Sequence, residues 1–161
     1  MNAGYCHTIS FASRLHDIGK IAIPDQILQK REALAPQEWE TMKTHSAQGA
    51  RMLSRNSSPY LVMAAEIAHA HHERWDGSGY PRGLKGEAIP LAARITAICD
   101  MYDVLRSRRP YREEALGHAD ALQTIVAGDL KAQPGHFDPG VLAAFQKSVE
   151  TFREFFEVVP D

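Results

Sequence analysis

The chain has 161 residues, 44% of them hydrophobic and 24% charged, with a formal net charge of −2. A chain of this length makes one domain and hides roughly 70% of its unfolded surface. Near-neutral charge gives no general pull toward nucleic acid polymers or a lipid surface, no run of about 18 apolar residues marks a membrane span, and two cysteines, Cys6 and Cys99, make no disulfide framework. The N-terminus lacks the basic-then-apolar order of a signal peptide, so a reducing cytoplasm is the expected location, with Cys99 a small core residue.

Residues 1–8 carry no clear signal and are read as an unstructured or appended N-terminus, followed by one domain over 9–161. The pattern predicts a helix from Ile9 to Ile18, stopped near Gly19 and kept from resuming by Pro24. Residues 19–35 read as an ordered loop with a short turn at Asp25–Leu28. Pro36 suits a first helical position, and Trp39, Met42, His45, Gly49 and Met52 then recur at helical spacing, which places His45 on an apolar face. After the break at 56–59, a helix over 60–74 carries Leu61, Ala64, Ala68 and His71 on one stripe, with Ala65, Ala68 and His72 on an overlapping one.

Residues 76–90 hold four glycines and two prolines in fifteen positions, too many for a helix or a central strand. A helix over 91–107 presents Ile95, Ile98, Tyr102 and Leu105 on one face and Ala93, Ala97 and Val104 on another, and Asp100 lies on the second. Two more helices are predicted, at 115–127 and 138–157, the latter with Pro139 at its first position and Phe145, Val149, Phe152 and Phe156 on its apolar face. No useful β-period, repeat or low-complexity tract appears. The expected fold is all-α, a compact bundle of five to seven helices.

Four of the eight histidines and two aspartates fall on or beside inward stripes: His16, Asp17, His45, His71, His72 and Asp100. Each alone has an ordinary explanation: a hydrogen-bonded core histidine, a buried acceptor, a helix-end pair. A buried carboxylate is costly unless paired or bound to metal, and two adjacent buried imidazoles both need partners. One centre holding more than one metal ion explains all six together, since imidazole and carboxylate are the ligand set of borderline transition metals. Two ions about 3.5–4 Å apart hold a hydroxide at neutral pH, which points to hydrolysis of a phosphorus ester. Asp17 is the expected bridge between the ions. Lys20, four residues after His16, would share His16's face if the helix persisted and could neutralise charge or protonate a leaving oxygen.

The segments RLHDIGKIAIPDQIL, HHERWDGSGYPRGLKGEAIPLAARI and ICDMYDVLRSRRPYR resemble the HD-GYP domain, a branch of the HD phosphohydrolase superfamily, over about residues 9–146. The namesake residues here are His16-Asp17 and Gly79-Tyr80-Pro81. The resemblance implies a metal-dependent phosphodiesterase acting on cyclic di-GMP. It implies two divalent ions, iron, manganese or similar, with zinc or nickel also compatible. It implies His16, Asp17, His45, His71, His72 and Asp100 as ligands, Asp17 and Lys20 as catalytic, and Arg109 and Arg112 as substrate-binding. Tyr80 or Tyr111 would stack on a guanine, and the loop 76–86 would shape the pocket and contact a cyclase (GGDEF-type) domain. Neither DNA, RNA nor a membrane is an expected partner, and a homodimer is one of several open outcomes.

The family's pattern also has a Glu and a His farther ahead of the HD pair than this chain reaches, and His7 cannot stand in for them. The expectation is therefore an N-terminally truncated domain with one metal position short of ligands and an apolar face left open. Hydrolysis of cyclic di-GMP through a metal-bridged hydroxide is the first functional reading. A catalytically weak module that senses cyclic di-GMP or docks a cyclase is the second. A hydrolase of other nucleotides is the third, and the Gly79–Pro81 block argues against it.

Overall fold

The structure, a computed structural model, describes residues 2–55, 57–107, 114–129 and 132–158. It is all-helical among the described residues, with eight α-helices: α1 (Ala3–Ala12), α2 (Asp25–Leu28), α3 (Pro36–Leu53), α4 (Pro59–Ala70), α5 (Leu91–Arg106), α6 (His118–Ala127), α7 (Pro139–Lys147) and α8 (Val149–Val158). None of the described helices is long and apolar enough to cross a membrane.

Helix starts follow local chemistry. Proline opens α3, α4 and α7, where its missing N–H has no partner to lose. The Glu38 carboxylate accepts the Ala35 N–H at 2.7 Å and the Lys30 ammonium at 2.6 Å, closing the entry to α3. The first helix departs from expectation. It begins at Ala3 because Asn2 accepts the Tyr5 N–H at 2.8 Å, so residues 3–8 are helical rather than unstructured. It also ends at Ala12, where tighter 3-10 turns over Ser13–Leu15 and Ile18–Ala22 take over.

The predicted helix at 138–157 is two helices. Ser148 leaves the helical region (φ −112°) and the chain turns, which folds Phe152 back against Tyr102 at 5.4 Å and Phe156 at 6.0 Å. The buried stripe of α3 is rotated from the expected one. His45, Ser46, Gly49 and Leu53 face inward, while Trp39 and Met52 are each 46% exposed.

Two apolar clusters share α5 as their spine. Ala12, Leu53, Ala64, Ile67, Ala68 and Ala92 make one; Ile98, Tyr102, Leu105, Ala121, Ile125 and Phe145 belong to the other, with Cys99 packed at its edge. The alanines bring α4 and α5 close, which is what lets short side chains from both meet at one point. Phe11 and Tyr60 stand half-exposed on the outer face of α1 and α4, and His7 packs edge-on to both rings.

Asp138 ties the two halves together. Its carboxylate accepts the Gly140 N–H at 2.7 Å and the Val141 N–H at 3.2 Å at the start of α7, and it pairs with Arg94 of α5. Asp138→Ala is expected to cost about 1–2 kcal/mol, the scale of a lost helix cap, read from urea midpoints at pH 7. Burial pushes the Asp138 carboxyl up, but Arg94 and the two N–H groups outweigh it and hold the group below its ordinary value. A depressed carboxylate adds stability that is whole above the unfolded value of about 3.9 and fades as pH falls below it. The gap between wild type and variant should therefore narrow in acid.

Candidate metal centre

Four segments converge. His16 and Asp17 sit in the irregular stretch between the two 3-10 turns, His45 at mid-α3, His71 and His72 at the C-terminal end of α4, and Asp100 on α5. The convergence depends on Gly19. A Cβ there would lie 1.9 Å from the His45 carbonyl oxygen and 2.5 Å from the Gly49 nitrogen, so only glycine lets the HD turn press onto α3. Because the helix ends before the HD pair, Lys20 does not share a helical face with His16 as the spacing suggested. It reaches Asp17 instead, Nζ to Oδ2 at 2.6 Å.

The two oxygens of Asp17 look in different directions. Oδ1 is 3.4 Å from His45 Nε2 and 3.8 Å from His71 Nε2. Oδ2 is 3.4 Å from His16 Nε2, whose same nitrogen is 3.6 Å from Asp100 Oδ1. One ligand atom from each of Asp17, His45, His71 and His72 lies within 4.8 Å of the others. His16 and Asp100 join this group through Asp17, so all six sequence-derived residues meet.

The hydrogen bonds settle which imidazole nitrogens are free. A carbonyl oxygen only accepts, so each ring nitrogen beside one carries its proton. His45 Nδ1–H donates to Met42 at 2.7 Å, His16 Nδ1–H to Ser13 at 2.8 Å, and His71 Nδ1–H to Ile67 and Ala68 at 3.1 Å. In a neutral ring Nε2 is then a bare lone pair. Burial keeps His71 neutral, at about 4, and His72, at about 2; it lowers His45 as well. His45 Nε2 and His71 Nε2 nonetheless sit 3.5 Å apart, beside a buried Asp17 Oδ1 that has no hydrogen-bond partner. Apart from the Ser46 hydroxyl, 3.5 Å from His45 Nε2, no donor among the described residues reaches these crowded acceptors, and they repel; a divalent cation satisfies all of them at once.

At the second position the balance differs. Burial lowers His16, but hydrogen bonds to Asp100 and Asp17 more than reverse it, to about 10. These carboxylates favour positive charge at that point, a proton or a metal ion. Asp17 itself is held far below the carboxylate range: burial opposes this, and His16 and Lys20 overcome it. The donor set fits divalent metal.

The loop after His72 walls one side. Tyr80 stacks on His72, centroids 4.8 Å apart. Glu73, fully buried at its side chain, accepts the backbone N–H groups of Arg82 and Leu84 at 2.8 and 2.9 Å, so it staples the loop. Asp76 accepts the Ser78 N–H at 2.8 Å, an ordinary turn. A cavity of about 510 Å³ runs between α1 and α5, lined in part by His16, Asp17 and Asp100 beside Arg14, Thr96 and Cys99. Arg109, Tyr111 and Arg112 lie outside the described residues. Sequence reasoning missed Trp39 and Lys43, which border the Tyr80 side; the Trp39 ring meets Tyr80 at 6.2 Å and the Lys43 ammonium sits 5.8 Å over the Tyr80 ring. An aromatic and a lysine one helical turn apart was the available signal.

Residues 1–141 match the family described as HD domain. The chain belongs to the HD domain family. It is 48% identical, over 152 residues, to a cyclic di-GMP phosphodiesterase of Thermotoga maritima, covering 91% of this chain and 39% of that protein. It is 40% identical over 154 residues to 3'3'-cGAMP-specific phosphodiesterase 2 of Vibrio cholerae, covering 95% and 28% respectively. Its fold matches Bd1817, a HDG"Y"P protein from Bdellovibrio bacteriovorus, with a TM-score of 0.68 at 17% identity, over 93% of this chain and 45% of that one. The resemblance drawn from His16-Asp17 and Gly79-Tyr80-Pro81 is thus borne out, and the chain spans less than half the length of each of these proteins.

Proposed function

We propose that this HD domain is a metal-dependent phosphodiesterase that hydrolyses cyclic di-GMP. The observation that carries the reading is the divided Asp17 carboxylate, Oδ1 among His45 and His71 and Oδ2 beside His16 and Lys20. A carboxylate used from both sides suits two adjacent divalent ions, for which iron and manganese are our candidates. His45, His71, His72 and Asp17 would hold one position, and His16, Asp100 and Asp17 the other. Bound there, such ions would lower the pKa of a water nucleophile and polarise the phosphoryl oxygens.

The chain's own residues do the rest. The carbonyl-anchored Nδ1–H groups keep each Nε2 aimed at the centre. Lys20 holds its ammonium at the rim, 36% exposed, where it can meet a phosphate oxygen and offset the negative charge that grows as the ester breaks. Identity to the Thermotoga enzyme favours cyclic di-GMP; the Vibrio relative makes cyclic GMP-AMP the substrate to compare it with. Pro81, Arg82 and Gly83, exposed at the tip of the stapled loop, are the surface on which a cyclase domain would dock.

Elemental analysis together with chromatography of cyclic dinucleotides tests the reading. About two metal ions per chain and chelator-sensitive release of linear dinucleotide or GMP are expected. Turnover that survives full chelation would sink the mechanism, and full metal loading without turnover would make the domain a binding module. Lys20→Ala should keep its metal and lose about 100-fold in kcat, the scale of one removed electrostatic donor. Wild-type kcat in that variant would remove Lys20 from the reaction.

A further inference from the structure

We propose that Trp39 is the platform on which a base of the substrate stacks. The inference rests on the reading that the centre takes a nucleotide diester, and it names a residue which that reading does not need.

Trp39 lies in the first turn of α3 and is 46% exposed, although the helix has an apolar interior to bury it in. An indole held in water carries a cost in hydrophobic free energy that a stacking ligand would recover. Its place is specific. From the ligand imidazole of His72 the rings step outward: Tyr80 stacks on His72 at 4.8 Å and 29°, and Trp39 meets Tyr80 at 6.2 Å and 80°. A phosphodiester seated at the metal centre puts its base one sugar away, and this line of rings leads outward from His72.

Tyr80 is the poorer platform. His72 already lies parallel to its ring, and the Lys43 ammonium sits 5.8 Å over it. The perpendicular contact between Trp39 and Tyr80 leaves at least one indole face uncovered by its neighbour. Lys43, one turn along α3, holds its ammonium over the Tyr80 ring and pairs with Glu40 at 2.8 Å. Among the described residues, the lining of the cavity between α1 and α5 has no aromatic ring except the His16 imidazole, whereas the Trp39 side offers an indole. Because every base has a π-face, the same platform serves guanine and adenine, so the loss on removing it should be equal for cyclic di-GMP and cyclic GMP-AMP.

The test uses the metal-loaded protein. Trp39→Ala is expected to raise KM for cyclic di-GMP about tenfold or more, the scale of one lost base–aromatic stack, while kcat, melting temperature and metal content hold; Trp39→Phe should restore most of the loss. Stopped-flow mixing with cyclic di-GMP should quench wild-type tryptophan fluorescence before turnover. That quench should vanish in Trp39→Phe, where Trp75 is the remaining indole. Wild-type KM in Trp39→Ala, or a KM rise matched by lost metal and lower melting temperature, overturns the proposal. Turnover without a Trp39 quench overturns it and leaves the phosphodiesterase reading standing. A Trp39 quench without turnover supports it and overturns that reading, and neither quench nor turnover overturns both.

Discussion

Asp17→Ala is expected to empty the centre of metal and abolish phosphodiester hydrolysis while the helical fold persists. The carboxylate faces both halves of the site with separate oxygens: Oδ1 is 3.4 Å from His45 Nε2, and Oδ2 is 3.4 Å from His16 Nε2. Removing it takes a ligand from each position at once. It also leaves His45 and His71 with lone pairs 3.5 Å apart and no negative charge between them to draw a cation. Truncating a second-sphere group costs 10–100-fold in metal affinity, so loss of a shared ligand should exceed that. Lys20 loses its partner too, since its ammonium lies 2.6 Å from Oδ2. Helix content should not change, because the Asp17 side chain is one-third exposed and, although Asp17 is the N-cap residue of the 3-10 turn Ile18–Ala22, makes no capping hydrogen bond there. Asp17→Asn keeps the shape and removes the charge, so it should bind metal weakly and still fail to turn over. Elemental analysis and circular dichroism read both results. Wild-type metal content in Asp17→Ala would show that the carboxylate is not a ligand.

Gly19→Ala is expected to do as much damage from a position with no functional group at all. Its Cβ would sit 1.9 Å from the His45 carbonyl oxygen and 2.5 Å from the Gly49 nitrogen, both backbone atoms of α3. A side chain in the way could rotate, but a helix backbone must move as a unit. Moving it carries His45 away from Asp17, so stability and metal affinity should fall together. Overpacking costs typically 1–3 kcal/mol, and a collision with two backbone atoms of one helix belongs at or above about 3 kcal/mol. Gly135→Ala is the matched control: nothing lies within 4 Å of a Cβ there, and the substitution should be nearly neutral. Urea midpoints and metal content of the two variants decide the matter. A Gly19→Ala protein as stable and as metal-rich as wild type would mean that the HD turn does not depend on this close approach.

These two residues also mark how far a sequence can be read. Asp17 was legible because its chemistry is its identity: a carboxylate next to a histidine, with further histidines on inward stripes. Gly19 was read as a helix stop, and its real constraint is an atom of His45, twenty-six residues onward. The helix at 138–157 was right in its apolar face and wrong in its continuity, since Ser148 turns to let Phe152 and Phe156 reach Tyr102 on α5. Trp39 matched the period of α3, yet the stripe that packs is set by what faces the helix, and Tyr80 from the loop leaves the indole outside.

From residue identity and spacing came the all-helical architecture and the six candidate ligands, because helical periodicity and ligand chemistry are local properties of the chain, while the family came from the resemblance of three segments to it. Tertiary structure decided which oxygen of Asp17 serves which histidine, that Lys20 answers to Asp17 and not to His16, and that Glu73 staples the loop carrying Tyr80. Those are distances between segments remote in sequence, set by how closely glycine and alanine let the helices approach, and no local pattern encodes them.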